Sequence, residues 1–193
     1  MEWAGKSDEQ RSAILMQVAE KIGENSEYLA SLVTEEQGKP LGGVGPTEVP
    51  GSRFEIWGCQ AWTQVPASLS LSSEVVFEDD TRIDEIYHKP YGVIAAIAPW
   101  NWPLLIASWQ IMASIRVGNT VVIKPSEYTT ASTLEFVRII NEILPAGVVN
   151  TVSGDGVVGA SLVSHPDISK IMFTGSGETG KKLLLLPQKN LFL

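Results

Sequence analysis

Between residues 93 and 186, short apolar runs alternate with segments of helical periodicity. This alternation constrains the fold more than any other feature of the 193-residue chain. The runs cover residues 93–98, 120–123, 148–152 and 168–174. They read as strands suited to burial on both faces, as a parallel sheet requires. Helical patterns cover residues 104–115, 132–144, 157–164 and 179–186. The second carries Leu134, Val137, Ile140 and Leu144 on one face, followed by Pro145 and Gly147. Strand–helix units repeated in this way predict an α/β fold: a doubly wound parallel sheet with right-handed crossovers.

The first half of the chain has a different texture. Residues 7–38 read as helix, opened by a capping box of Ser7 and Gln10 and interrupted around residues 23–26. Gly38 and Pro40 end it. A Gly-rich loop follows, and residues 48–62 read as a third helix with Pro50 in its first turn. After a serine-rich stretch, residues 75–77 and 83–88 read as two short strands forming an antiparallel arm outside the main sheet. The expected organisation is one incomplete domain: a helical segment over 1–66, an arm over 72–89, four βα units over 91–186 and a divergent tail over 187–193.

Charge excludes some functions. The net charge of -8 argues against nucleic acid and against an anionic membrane surface. No apolar run approaches the ~20 residues of a membrane span, and the start of the chain has no basic-then-apolar leader pattern. Cys59 is the single cysteine, so no internal disulfide can form. A cytoplasmic location is the expectation. His88 and His165 lack partners at ligand spacing, and no metal site is expected.

The candidate chemistry sits just after the strands. Ala98-Pro99-Trp100-Asn101-Trp102-Pro103 holds one amide between two tryptophans and two prolines. It reads either as a rigid turn or as a fixed carboxamide donor for a developing negative charge. Lys124-Pro125-Ser126-Glu127 reads either as a surface lysine with a helix-start acid, or as a grip on ribose hydroxyls. In the second reading Glu127 would repel a 2′-phosphate and favour NAD over NADP. Gly154-Asp155-Gly156, with Gly159 beyond it, follows the third strand. Phe173-Thr174-Gly175-Ser176-Gly177-Glu178-Thr179-Gly180 follows the fourth and contains G-x-G-x-x-G. The run from Gly175 to Lys181 also approaches a phosphate loop, but Lys182 stands where Ser or Thr would hold magnesium. Shared placement at the carboxyl ends of parallel strands points to a nucleotide crevice. Cys59, on a predicted helix near Trp57 and Trp62, reads as a small buried hydrophobe.

Five runs carry a family resemblance: Pro90-Tyr91-Gly92-Val93, the Pro99-Trp100-Asn101 segment, Gly118-Asn119-Thr120 through Lys124-Pro125-Ser126-Glu127, Pro145-Ala146-Gly147-Val148-Val149-Asn150, and Phe173-Thr174-Gly175-Ser176. In that order and spacing the chain resembles the NAD(P)-dependent aldehyde dehydrogenase superfamily, from about Trp3 to about Leu184. The resemblance implies a Rossmann-like cofactor-binding domain and oxidation of an aldehyde to a carboxylic acid through a cysteine thiohemiacetal. It implies that Asn101 donates to the oxyanion. Lys124 and Glu127 would contact the adenosine ribose, and Ser176 a phosphate. Ile97, Pro99 and Trp100 would line the cofactor cleft, and Gly156 and Gly159 would lie against the adenine, with Ser126, Phe173, Thr174, Gly175 and Thr179 completing the set. The cofactor would be NAD, with NADP possible. The substrate would be a small-molecule aldehyde, and the arm would help build a homo-oligomer in the full-length family.

The departures are also informative. The family's nucleophilic cysteine and general-base glutamate would lie beyond this chain, and Cys59 does not occupy that position. The expectation is therefore an incomplete enzyme, truncated at both ends and inactive alone. Two alternatives are a non-catalytic nucleotide-binding or subunit-pairing fragment and, more weakly, a P-loop NTPase.

Overall fold

The computed structural model describes residues 2–45 and 47–185; the tail expected over 187–193 lies outside them. Three helices come first: α1 (Asp8–Glu24), α2 (Ser26–Gln37) and α3 (Ser52–Ser68). Ser7 and Gln10 form the expected capping box at the start of α1. Gly38 closes α2 in the left-handed conformation, φ 78°, which a residue without Cβ adopts at no steric cost.

Helix α3 departs from the expected 48–62. Pro50 is not in its first turn; it bridges Gly43 in the preceding loop. The Ser52 and Arg53 N–H groups donate to the Pro40 and Leu41 carbonyls at 2.9 and 3.0 Å, so the loop's own bonds set the helix start. The far end runs on through Pro66 because its last carbonyls find partners elsewhere. Arg116 Nε donates to Pro66 O at 2.9 Å, and Ser12 Oγ to Ala67 O at 2.6 Å.

Strands β1 (Glu74–Glu78) and β2 (Ile83–Ile86) form the antiparallel arm, exposed along its whole length. The main sheet contains β3 (Val93–Ile97), β4 (Thr120–Lys124), β5 (Val149–Thr151) and β6 (Ile168–Phe173). All its pairings are parallel, and the order is β5-β4-β3-β6. Between the strands run α4 (Pro103–Arg116), α5 (Thr130–Ile140) and α6 (Gly156–Val163), with α7 (Gly177–Leu184) after β6. The chain steps outward from β3 to β5, then crosses back to lay β6 on the other side of β3. With right-handed crossovers, α4 and α5 cover one face and α6 the opposite face.

Strands β3 and β4 are the best buried, whereas β6 is half-buried throughout. Helices α1–α3 pack on α4 and α5, and their buried side chains form one continuous core with β3 and β4. Helix α5 corrects one expectation. Leu134 is exposed, and the buried face is Phe136, Val137, Ile139 and Ile140. Leu144 is buried, but in the turn after the helix.

Candidate functional site

The sheet order reverses at β3: the chain runs outward to β5 on one side of it and returns to place β6 on the other. That switch point opens a crevice at the carboxyl edge of an α/β sheet. Here it is a cleft of about 1030 Å³. Ile97 and Phe173, paired across β3 and β6, form its floor.

Every residue that the family resemblance assigns to the cofactor or the oxyanion lines this cleft. Pro99, Trp100 and Asn101 form the rim after β3. Lys124, Ser126 and Glu127 come from the end of β4, and Gly156 and Gly159 from α6. Thr174, Gly175, Ser176 and Thr179 come from the β6–α7 turn. The sequence reading did not single out Val163, Leu183 or Tyr128, which also line it. The first two are apolar positions on helices, and nothing local distinguishes them from ordinary core.

Lys124 is buried, and its Nζ donates to Pro125 O at 2.8 Å. Burial lowers its pKa, while the nearby Glu127 and Asp155 carboxylates pull it back up. Glu127 is exposed at the mouth. The Ser176 side chain caps α7, accepting from Thr179 N at 3.2 Å. Gly175 is fixed by a close approach: a Cβ there would lie 2.7 Å from the Phe173 ring. Lys181, at the phosphate-loop lysine position, is not among the lining residues; Lys182 is, and it is paired with Glu178 at 2.8 Å.

The Asn101 turn is anchored on both flanks. Ahead of it, Ala98 N donates to Lys124 O at 3.2 Å, and Gln110 Nε2 donates to Ile97 O at 3.0 Å. Behind it lies a pair absent from the sequence reading. Glu55, fully buried on α3, accepts from Leu104 N and Leu105 N at 2.8 and 3.1 Å and so caps α4. Lys39 Nζ pairs with Glu55 at 2.5 Å, donates to Asn101 O at 2.7 Å and sits 3.8 Å from the Trp102 ring centroid. Desolvation raises the Glu55 pKa against the opposing pull of Lys39 and the two backbone donors. In sequence, Glu55 looked like any helix acid.

Cys59 is fully buried. Burial pushes its thiol up, with the Glu55 charge adding to that, so it is held in the unreactive protonated form. Among the described residues no cluster of His, Cys, Asp and Glu could hold a metal ion, and no helix is long and apolar enough to cross a membrane.

The family model described as the aldehyde dehydrogenase family matches residues 1–191. The chain belongs to the aldehyde dehydrogenase family. Aldehyde dehydrogenase B of Escherichia coli K12 is 35% identical over 192 residues, covering 98% of this chain and 36% of that protein. Acetaldehyde dehydrogenase 2 of Cupriavidus necator is 36% identical, covering 98% of this chain and 37% of that protein. Among solved structures, PnpE in complex with nicotinamide adenine dinucleotide matches with TM-score 0.86 and 35% identity over 94% of this chain and 37% of its own. Betaine aldehyde dehydrogenase of Staphylococcus aureus in complex with NAD+ matches with TM-score 0.86 and 31% identity, over 95% of this chain and 36% of its own. This aldehyde dehydrogenase chain thus spans little more than a third of the relatives it matches.

Proposed function

We propose that this chain is the NAD-binding part of an aldehyde dehydrogenase whose whole form oxidises an aldehyde to a carboxylic acid. The observation that carries the reading is the cleft at the β3/β6 switch point, lined by the Asn101 turn, Lys124, Glu127 and the β6–α7 turn. Its residues fit a dinucleotide. The floor is apolar, polar side chains converge from three strand ends, and the α7 amino end offers backbone donors and positive potential to phosphate. Lys124 and Glu127 would hold the adenosine ribose, with Gly156 and Gly159 against the adenine. Ser176, helped by Ser126, Thr174 and Thr179, would hold phosphate. Ile97, Pro99, Trp100, Phe173 and Gly175 would shape the walls.

When bound, the cofactor supplies the two-electron acceptor that aldehyde oxidation requires. Asn101 is the residue of this chain that would touch the reacting aldehyde. Its carboxamide would donate to the oxygen as negative charge develops there. No cysteine of the chain suits the nucleophile's role, since Cys59 is buried and protonated. We therefore expect the chain by itself not to turn over aldehyde. The Glu127 carboxylate favours NAD over the 2′-phosphorylated cofactor. The exposed arm favours assembly with further copies.

Titrating the purified chain with NADH, followed by nicotinamide fluorescence, tests this reading. Saturable binding is expected, weakened about 10-fold by Lys124→Ala through loss of a charged hydrogen bond. NADPH should bind more weakly, with the gap narrowed by Glu127→Gln. A correctly folded chain that binds no NADH would sink the reading. Steady NADH production from NAD and aldehyde, lost in Asn101→Ala, would overturn the expectation of inactivity.

A further inference from the structure

We propose that Lys39 and Glu55 are positioning residues for Asn101: the buried pair fixes the peptide that follows the carboxamide and so sets where the carboxamide points. The inference rests on the reading of Asn101 as the donor to the aldehyde oxygen, and it deepens that reading.

Prolines at 99 and 103 fix two φ angles but leave the peptides on either side of Asn101 free to rotate. The strand side is tied by the Gln110 side-chain amide, which donates to Ile97 O, and by Lys124 O, which accepts from Ala98 N. On the helix side, one ion pair holds both the Asn101 carbonyl and the start of α4. Lys39 Nζ holds the Asn101 carbonyl at 2.7 Å and packs beside the Trp102 ring. Glu55 Oε1 holds the first free N–H groups of α4. Phe54, one residue before Glu55, meets the Trp102 ring edge-on at 6.1 Å between centroids. The Gln37 amide adds a weaker contact to the same carbonyl at 3.3 Å.

The energetics favour position over stability. The two side chains are 10% and 0% exposed, so desolvation offsets much of their attraction. What the pair supplies is direction, because each of its atoms has a defined partner. It also manages charge. Glu55 occupies the α4 amino-end donors, and Lys39 neutralises it, so no net negative charge faces the place where an oxyanion would form.

The test uses the full 193-residue chain labelled with 15N-asparagine, its Asn101 carboxamide signals assigned by their loss in Asn101→Asp. In Lys39→Met and in Glu55→Gln these signals should move, while those of the buried Asn119 stay in place and report an intact fold. Lys39→Arg should return the signals toward their original positions. Should either single variant fail to fold, the double Lys39→Met/Glu55→Gln leaves no unpaired buried charge and should show the same displacement. Asn101 signals unmoved in the folded variants, or moved only together with Asn119, would overturn the proposal. NADH titration of the same variants keeps the outcomes apart. Loss of cofactor binding in the unaltered chain refutes the cofactor reading, whatever Asn101 does in the variants.

Discussion

Gly175 shows how much a single position in the cleft depends on its neighbours. Its missing Cβ leaves room for the Phe173 ring, which forms the floor under β3 and β6. Gly175→Ala is expected to push that ring from its place, costing about 1–2 kcal/mol of overpacking and several-fold in NADH affinity. Thermal melts and the fluorescence titration read the two effects separately. Asn101, Lys124 and Gly175 were legible because prolines and glycines punctuate them, and because each follows an apolar run. Glu55 was not legible. Its sequence neighbours, Phe54 and Ile56, give the ordinary pattern of a half-buried helix, and only the docking of α4 takes its carboxylate out of water. Lys39 was equally hidden, since in sequence it is one charged residue beside a helix-ending glycine.

At the scale of elements, two crossover helices borrow their caps. Glu55 from α3 covers the amino end of α4, and Glu36 from α2 covers that of α5. Glu36 accepts from Ala131 N and from Ser132 N, the latter at 3.1 Å, and also from the Ser132 hydroxyl. Glu36→Ala should therefore lower stability by about 1–2 kcal/mol, or roughly 2–8 °C in melting temperature. Calorimetry would detect it. No change in melting temperature would show that Thr129 or water can replace the glutamate. Periodicity located both helices, but it could not reveal caps donated from residues so far away in sequence. It also misjudged the face of α5. Leu134, which fits the apolar stripe, lies exposed, while Thr133 beside it is buried with its hydroxyl donating to Thr129 O at 3.1 Å. For α3, the pattern found the helix but not its start, because backbone bonds from residues 52 and 53 to the loop after α2 set that boundary.

For the whole molecule, the sheet and its switch point were legible from the alternation of runs, because parallel strands and right-handed crossovers leave few arrangements. What joins the helical layer to the sheet was not legible. Arg116, buried at the end of α4, holds Pro66 O and the Asp8 carboxylate together, tying α1, α3 and α4 at one point. The Arg116 hydrogen bond holds the Asp8 carboxyl below its ordinary range. Its contribution is thus complete above the unfolded-state value and fades as pH falls through the lower folded value. Asp8→Asn should cost about 2 kcal/mol near neutrality and should shrink the loss of stability that the unaltered chain shows below about pH 4. Denaturant melts across that range would test it, and an unchanged acid limb would refute it. The arm carries exposed Val75, Val76, Phe77, Ile83 and Ile86, and a two-stranded ribbon is marginal without a partner. Self-association through this arm is expected, and Val76→Lys should shift the chain toward monomer in light scattering.

The pairing of β6 with β3 also has a consequence in time. A ribosome releases β3, β4 and β5 in order, each beside its predecessor, but β3 gains its second neighbour only after α6 and β6 have emerged. Until then the cleft lacks the wall built by β6 and the β6–α7 turn, and with it Ser176, the residue proposed to hold phosphate. On the proposed reading, a dinucleotide meets its complete site only on the finished sheet. NADH in the refolding buffer should leave the folding rate unchanged and slow unfolding in proportion to its occupancy.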